Sequence, residues 1–260
     1  MKHPYIGLWS LLAVSFILFF SLSAFGTITI GGVELHSSQM YDELTREPEP
    51  QNPFEELYVE RDSCAVEQKP QIDTLPQRIL LVGDSMLEGL SPRMAAYAEH
   101  NGHTLYTVIW YGSTSKTWGS TTRLKDYIAE YEPTYVFVAL GANELFVRDI
   151  KKSRDKYVKN IIEQLGDVDY LWIGPPNWKE DTGINDLIRS NTPRGKFFLS
   201  KDMHFDRAKD RMHPTRNAAA KWFDSIARWM PEYSTHPIKL EVPEVAKAQP
   251  EKIIIHQPQN

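Results

Sequence analysis

A chain of 260 residues is long enough to bury one full hydrophobic core with appendages, and short for two domains of equal size. Its 29 Lys and Arg against 34 Asp and Glu give a formal charge of −5 with no dense basic block, which excludes the polyanion footprint of a nucleic-acid binder. The one cysteine, Cys64, excludes an intrachain disulfide and a cysteine-rich zinc module, and it lies too far from the apolar amino-terminal run for lipid attachment at a cleavage site there.

No charged residue lies between Pro4 and Val33, and residues 5–25 are dense in Leu, Phe, Ile, Val and Ala. A helix of roughly 20 such residues spans a bilayer core of about 30 Å, so residues 1–30 are predicted to be a transmembrane anchor. The alternative is a cleaved signal peptide, for which Ser21-Leu22-Ser23 would be the small-x-small site. Lys2 precedes the run, while Glu34, Asp42 and Glu43 follow it. The positive-inside rule therefore keeps the amino terminus cytoplasmic. The expected topology is a single-pass inner-membrane protein with its domain in the periplasm or outside, free to meet envelope-assembly partners. Residues 31–75 are rich in Glu, Gln and Pro and read as an irregular stalk, with a short docking turn near Phe54, Leu57, Tyr58 and Val59.

Residues 76–232 alternate two kinds of pattern. Short apolar runs at 79–82, 105–110, 135–140 and 170–173, with a fifth at 196–199, suit strands buried on both faces. Between them, 92–100, 121–131, 156–165 and 214–229 carry helical spacing, with Ala218, Trp222, Ile226 and Trp229 on one side of the last. The alternation predicts right-handed crossovers and a three-layer α/β/α sandwich around a mainly parallel five-stranded sheet. Residues 233–260 return to Pro, Lys, Glu and Gln and are predicted to be a flexible tail, in which the isolated run 253–255 has the composition to join a sheet edge.

Polar residues recur where a sheet of this type binds ligands, beyond the carboxyl ends of its strands. The segment RILLVGDSMLEGL, residues 78–90, is a strand running through Gly83-Asp84-Ser85 into a helix, so Ser85 stands near a helix amino terminus. Gly112 follows the second strand, Gly141-Ala142-Asn143-Glu144 the third, and Gly174-Pro175-Pro176-Asn177 the fourth. Asp210-Arg211-Met212-His213-Pro214 precedes the last helix. Each piece alone is ordinary turn chemistry; together they are the parts of a hydrolase site.

The set resembles the SGNH (GDSL-like) hydrolase superfamily. Ser85 matches its nucleophile, Gly112 its second-block glycine, Asn143 its third-block asparagine, and Asp210 with His213 its final block. Two departures are Met86 for the usual leucine and Glu144 where Asp is common; neither removes a catalytic atom. The resemblance covers about residues 76–232 and implies a flavodoxin-like sheet and a Ser85–His213–Asp210 triad. In it His213 takes the serine proton, Asp210 fixes the imidazole tautomer, and the Ser85 N–H, Gly112 N–H and Asn143 amide hold the oxyanion. It further implies a carboxylic ester hydrolase, with no cofactor, acting on small acyl groups, acetyl above all, on cell-envelope or exported carbohydrate.

Asp84, Trp110, Glu144 and Arg148 are the candidates for substrate contact, and Tyr111, Trp118 and Trp178 join Trp110 near predicted strand ends as rings able to stack on a sugar or cap the core. The Gly-x-Ser-x-Gly elbow of α/β-hydrolases is absent, since Leu87 occupies the second glycine position. Three further readings stand beside the esterase. One is an O-acyltransferase resolving the same acyl-enzyme with a sugar hydroxyl. The second is a non-catalytic envelope module binding glycan or protein. The third is a metal-dependent hydrolase built on His204, Asp206, Asp210 and His213, although no metal is assigned. His100, His103 and His236 read as solvated.

Overall fold

The computed structural model describes residues 70–258, together with the backbone of two short antiparallel strands, β1 (Ile28–Ile30) and β2 (Val33–Leu35). These strands belong to a unit spanning Met1–Ala65; the remainder, Val66–Asn260, is a second compact unit. Apart from β1 and β2, the predicted anchor and the stalk as far as residue 69 lie outside the described residues. Among the described residues no helix is long and apolar enough to cross a membrane.

The continuous apolar runs become strands with both faces covered, as a parallel sheet requires. They are β3 (Arg78–Gly83), β4 (Thr104–Trp110), β5 (Tyr135–Ala139), β6 (Asp169–Ile173) and the two-residue β7 (Phe197–Phe198). A sixth strand, β8 (Lys252–His256), joins them, and the order across the sheet is β7-β6-β5-β3-β4-β8, parallel throughout. From β3 the chain steps to β4 on one side, then crosses back to β5 on the other. That reversal opens a crevice at the carboxyl end of β3.

Helices cover both faces. Leu80, Val82, Val108, Val136, Val138 and Trp172 pack in one cluster with residues of α2 (Ser115–Gly119), α3 (Arg123–Tyr131), α4 (Ile150–Leu165) and α5 (Ile184–Asn191). The alternate residues face α1 (Leu87–His100) and α6 (Arg216–Tyr233), where Phe137 meets Phe223 and Phe223 meets Tyr97. Two glycines allow close approach. A Cβ on Gly83 would lie 2.2 Å from the Ala139 carbonyl oxygen, and one on Gly89 would lie 2.7 Å from the Cβ of Ala219, so α1 and α6 touch backbone to side chain at this point.

The sheet has six strands, one more than the sequence reading expects, because residues 233–258 are not a loose tail. Asn101 at the end of α1 exchanges two 2.9 Å hydrogen bonds with the backbone of Glu241; Arg93 Nη1 donates to the Val245 carbonyl at 2.8 Å, and the Ala248 N–H to that of Pro92 at 2.9 Å. The segment thus runs back along α1 and enters the sheet beside β4 as β8. Ile254 packs against the core cluster, which leaves Ile253 and Ile255 on the opposite face, 43% and 52% exposed. The composition misleads here because the segment is held largely through its backbone and leaves Glu241, Glu244, Lys247 and Glu251 exposed, while Pro237 and Pro243 are buried. His103 is likewise buried rather than solvated: Nδ1 accepts the Gln77 N–H at 3.0 Å and Nε2 bonds the Lys239 carbonyl at 2.7 Å. His236 is half-buried and sits 3.1 Å from Asp169.

Candidate active site

The turn after β3 is set by backbone bonds. The Asp84 N–H donates to the Ala139 carbonyl at 3.3 Å, the Leu87 N–H to the Asp84 carbonyl at 3.2 Å, and the Glu88 N–H to the Ser85 carbonyl at 3.1 Å. Asp84 Oδ1 accepts the Met86 N–H at 3.0 Å. Its side chain points inward, and Ser85 is left half-buried at the crevice.

A second turn, at the entrance to α6, carries the imidazole. Asp210 Oδ1 accepts the N–H groups of Met212 and His213 at 2.9 and 3.0 Å, and Arg211 takes a left-handed φ of 60°. The Ala208 N–H donates to the His213 carbonyl at 2.8 Å, and Thr215 caps α6 by accepting the Ala218 N–H. Arg207 Nη1 donates to the Met212 carbonyl at 2.7 Å and Nη2 to the Asn177 carbonyl at 2.9 Å, which ties this turn to the loop after β6.

The two turns converge. His213 Nε2 lies 2.8 Å from Ser85 Oγ, and His213 Nδ1 lies 2.7 Å from Asp210 Oδ2. A carboxylate only accepts, so Nδ1 carries the ring proton and Nε2 is left to accept from the serine hydroxyl. The hydrogen bond from His213, then those from the Met212 and His213 N–H groups, hold the Asp210 carboxyl down at about 2. It is an anion at any neutral pH.

Gly112 stands in the turn after β4, closed by the Ser113 N–H to the Trp110 carbonyl at 3.1 Å, and its φ of 65° is one that glycine adopts without strain. Asn143 lies in a 3-10 turn, Ala142–Glu144, after β5, and its Nδ2 donates to the Ser113 carbonyl at 2.9 Å. An amide nitrogen carries two N–H groups, so this bond uses one of them. Gly119, the neighbouring glycine, sits inside α2, where a Cβ would come 2.4 Å from the Tyr157 carbonyl. Its role is helix packing.

Three substrate-contact candidates are corrected. Asp84 is buried, its Oδ2 finds no hydrogen-bond partner among the described residues, and burial pushes its carboxyl up to about 7. Glu144 is wholly buried. It accepts from the Ser115 N–H at 2.7 Å, the Ser115 hydroxyl at 2.8 Å and Arg154 Nε at 2.6 Å, locking the loop after β4 to the loop after β5. Trp110 is in the core, edge-on to Trp118 with the Arg123 guanidinium over its ring. Their polarity or aromaticity is spent on structure. Arg148 is exposed between the Asn143 turn and α4. Of the other rings, Trp118 is buried, and Trp178 donates to the Ala142 carbonyl at 3.0 Å while lying edge-on to Phe146, itself 51% exposed.

Ser85, His213 and Asp210 open on a cleft of about 480 Å³ whose walls include Glu88, Tyr111, Arg216, Pro250, Ile253 and Ile255. The Tyr111 hydroxyl donates to Glu88 across its rim. Sequence reading misses the far wall, because no local pattern tells that residues 250–255 return to Ser85. His204 and Asp206 instead line a separate cavity of about 630 Å³ beside α6, with Lys221 and Arg228. Among the described residues no group of three or more His, Cys, Asp or Glu side chains is placed to hold a metal ion.

No protein-family model and no curated protein matches the chain. Among solved structures it is similar to the psychrotrophic esterase EstA from Pseudoalteromonas sp., in a structure inhibited by monoethylphosphonate, at 21% identity and a TM-score of 0.42, over 58% of this chain and 97% of that one. It is also similar to TesA, at 18% identity and a TM-score of 0.45, over 60% of this chain and 97% of that one.

Proposed function

We propose that this chain is a serine esterase. Ser85 Oγ attacks the ester carbonyl as His213 Nε2 takes its proton; the same imidazolium then protonates the departing alcohol, and water activated by His213 releases the acid. Asp210 keeps the ring proton on Nδ1 and stabilises the imidazolium. The Ser85 N–H, the Gly112 N–H and the remaining Asn143 N–H are the proposed oxyanion donors, each worth roughly 3 kcal/mol of barrier. The observation that carries the reading is the unbroken chain from Ser85 Oγ through His213 to Asp210, with both links under 3 Å at 2.8 and 2.7 Å.

The proposed substrate is an acyl ester of a cell-envelope or exported carbohydrate. The exposed Phe146 ring, held through Trp178 to the turn that carries Asn143, supports a sugar on that side of the site. The side chains of Asp210 and His213 are 41% and 29% exposed. Water therefore has ready access to the acyl-enzyme, which favours hydrolysis over transfer to a second sugar. The apolar run at residues 5–25 is the proposed membrane anchor, with the domain outside the cytoplasm. Protease added to intact spheroplasts is expected to remove the domain; full protection would reverse the topology.

The test of the activity is hydrolysis of p-nitrophenyl acetate by the full chain beside Ser85→Ala and Asp210→Asn. Ser85→Ala is expected to lose turnover to background, and Asp210→Asn to lose on the order of 10⁴-fold in kcat through the wrong tautomer. Equal signals from wild type and Ser85→Ala would leave a binding module in place of an enzyme.

A further inference from the structure

We infer that β8 is the acyl-chain wall of the cleft, and that it selects esters whose acyl group is an aliphatic chain longer than acetyl. The inference rests on the esterase reading above and deepens it. Ile254 is turned into the core, so the period-two geometry of a strand turns Ile253 and Ile255 together toward the α1 side, where both line the cleft that holds Ser85 and His213. They remain 43% and 52% exposed in a strand that is otherwise fixed. Its fixing points are the Tyr111 N–H to the His256 carbonyl at 3.0 Å, the Glu251 N–H to the Leu105 carbonyl at 2.9 Å, and the Tyr127 hydroxyl on the His256 ring.

Two branched apolar side chains held open beside a nucleophile gain free energy when something apolar covers them. Pro250 and Pro92 extend the same surface. A cleft of about 480 Å³ is within the range that encloses ligands far larger than an acetyl group. The occupant covalently nearest to Ser85 during turnover is the acyl chain. An acyl chain longer than acetyl extends from the reacting carbonyl into the same cleft that this wall lines.

The test compares kcat/KM for p-nitrophenyl acetate, butyrate and hexanoate, and for ethyl against hexyl acetate, in wild type, in an Ile253→Ser and Ile255→Ser double variant, and in Ile255→Trp. A methylene fully buried against the wall is worth roughly a fourfold gain, so wild type is expected to prefer butyrate to acetate by roughly five- to tenfold. In the serine double variant that preference should fall to about twofold or less, and Ile255→Trp, which fills the cleft, should turn it toward acetate. Thermal melts by circular dichroism establish that each variant is folded, and the tryptophan variant carries the test if the double variant does not fold. A Ser85-dependent wild type with a flat acyl profile, or variants that keep the wild-type profile, would overturn this inference alone. A chain-length effect confined to the alkyl acetates would move the wall to the alcohol side and overturn it as well. Absence of Ser85-dependent turnover on every ester would overturn the esterase reading, and this one with it.

Discussion

Asp84 and Asn143 show how differently two polar residues of one site can be employed. Asn143 has one amide N–H on the Ser113 carbonyl, which orients the other. Asn143→Ala is therefore expected to lower kcat by about 10²–10³ with little change in KM, as an interaction made in the transition state requires. Asp84 lies one residue from the nucleophile yet belongs to the interior. Burial is the main cause that lifts its carboxyl to about 7, with the Glu144 charge adding to it, while the Met86 N–H and His213 oppose it. A raised folded value means the native state binds the extra proton. The stability so gained is complete below the unfolded value of about 4 and is lost as pH climbs through about 7. Asp84→Asn, which keeps the acceptor for Met86 and removes the charge, should gain on wild type between pH 4 and 7 and hold a constant advantage above that, at most about 4 kcal/mol. Melting temperatures across that range would check it, and a constant gap from pH 4 to pH 8 would contradict the burial account.

At the scale of elements, the site depends on loops being held to one another rather than on their own rigidity. The ion pair of Glu144 with Arg154 of α4, reinforced by both polar groups of Ser115, joins the turn bearing Asn143 to the loop that follows Gly112. Glu144→Ala is expected to cost about 3 kcal/mol, the low end for a broken buried pair because Arg154 still reaches water, and to lower kcat as Asn143 loses its support. Urea denaturation and kinetics on the same preparation would measure both. The strand-end turns were legible in sequence because each combines an apolar run with Gly, Asp, Ser or Asn at its close. What Glu144 does was not legible. A carboxylate in a turn beside the expected site reads as a substrate contact until its partners from residues 115 and 154 are seen around it.

Over the whole molecule, the parallel sheet and its two helical layers follow from the alternation of apolar runs, whereas the strand order and the sixth strand do not. Pairing between residues 106–110 and 252–256 is a contact between segments with most of the domain between them, and only the bond directions along α1 lead the chain there. A chain ending at residue 249 would bare the edge of β4 and the core side of Ile254's place. It is expected to self-associate, as an unprotected apolar strand edge does, and light scattering against the full chain would record it.

The contact of Gly89 with Ala219 reaches further than packing. Ser85 leads into the first of these two helices and His213 into the second, so the spacing of the pair contributes to the distance between nucleophile and base. Turnover then works as a gauge of helix spacing: a widening of about an ångström would take the 2.8 Å link from Ser85 to His213 beyond hydrogen-bond reach and is expected to cost roughly 10²-fold in rate. On heating, catalytic output should fade several degrees before far-ultraviolet ellipticity does, and Gly89→Ala should widen that interval.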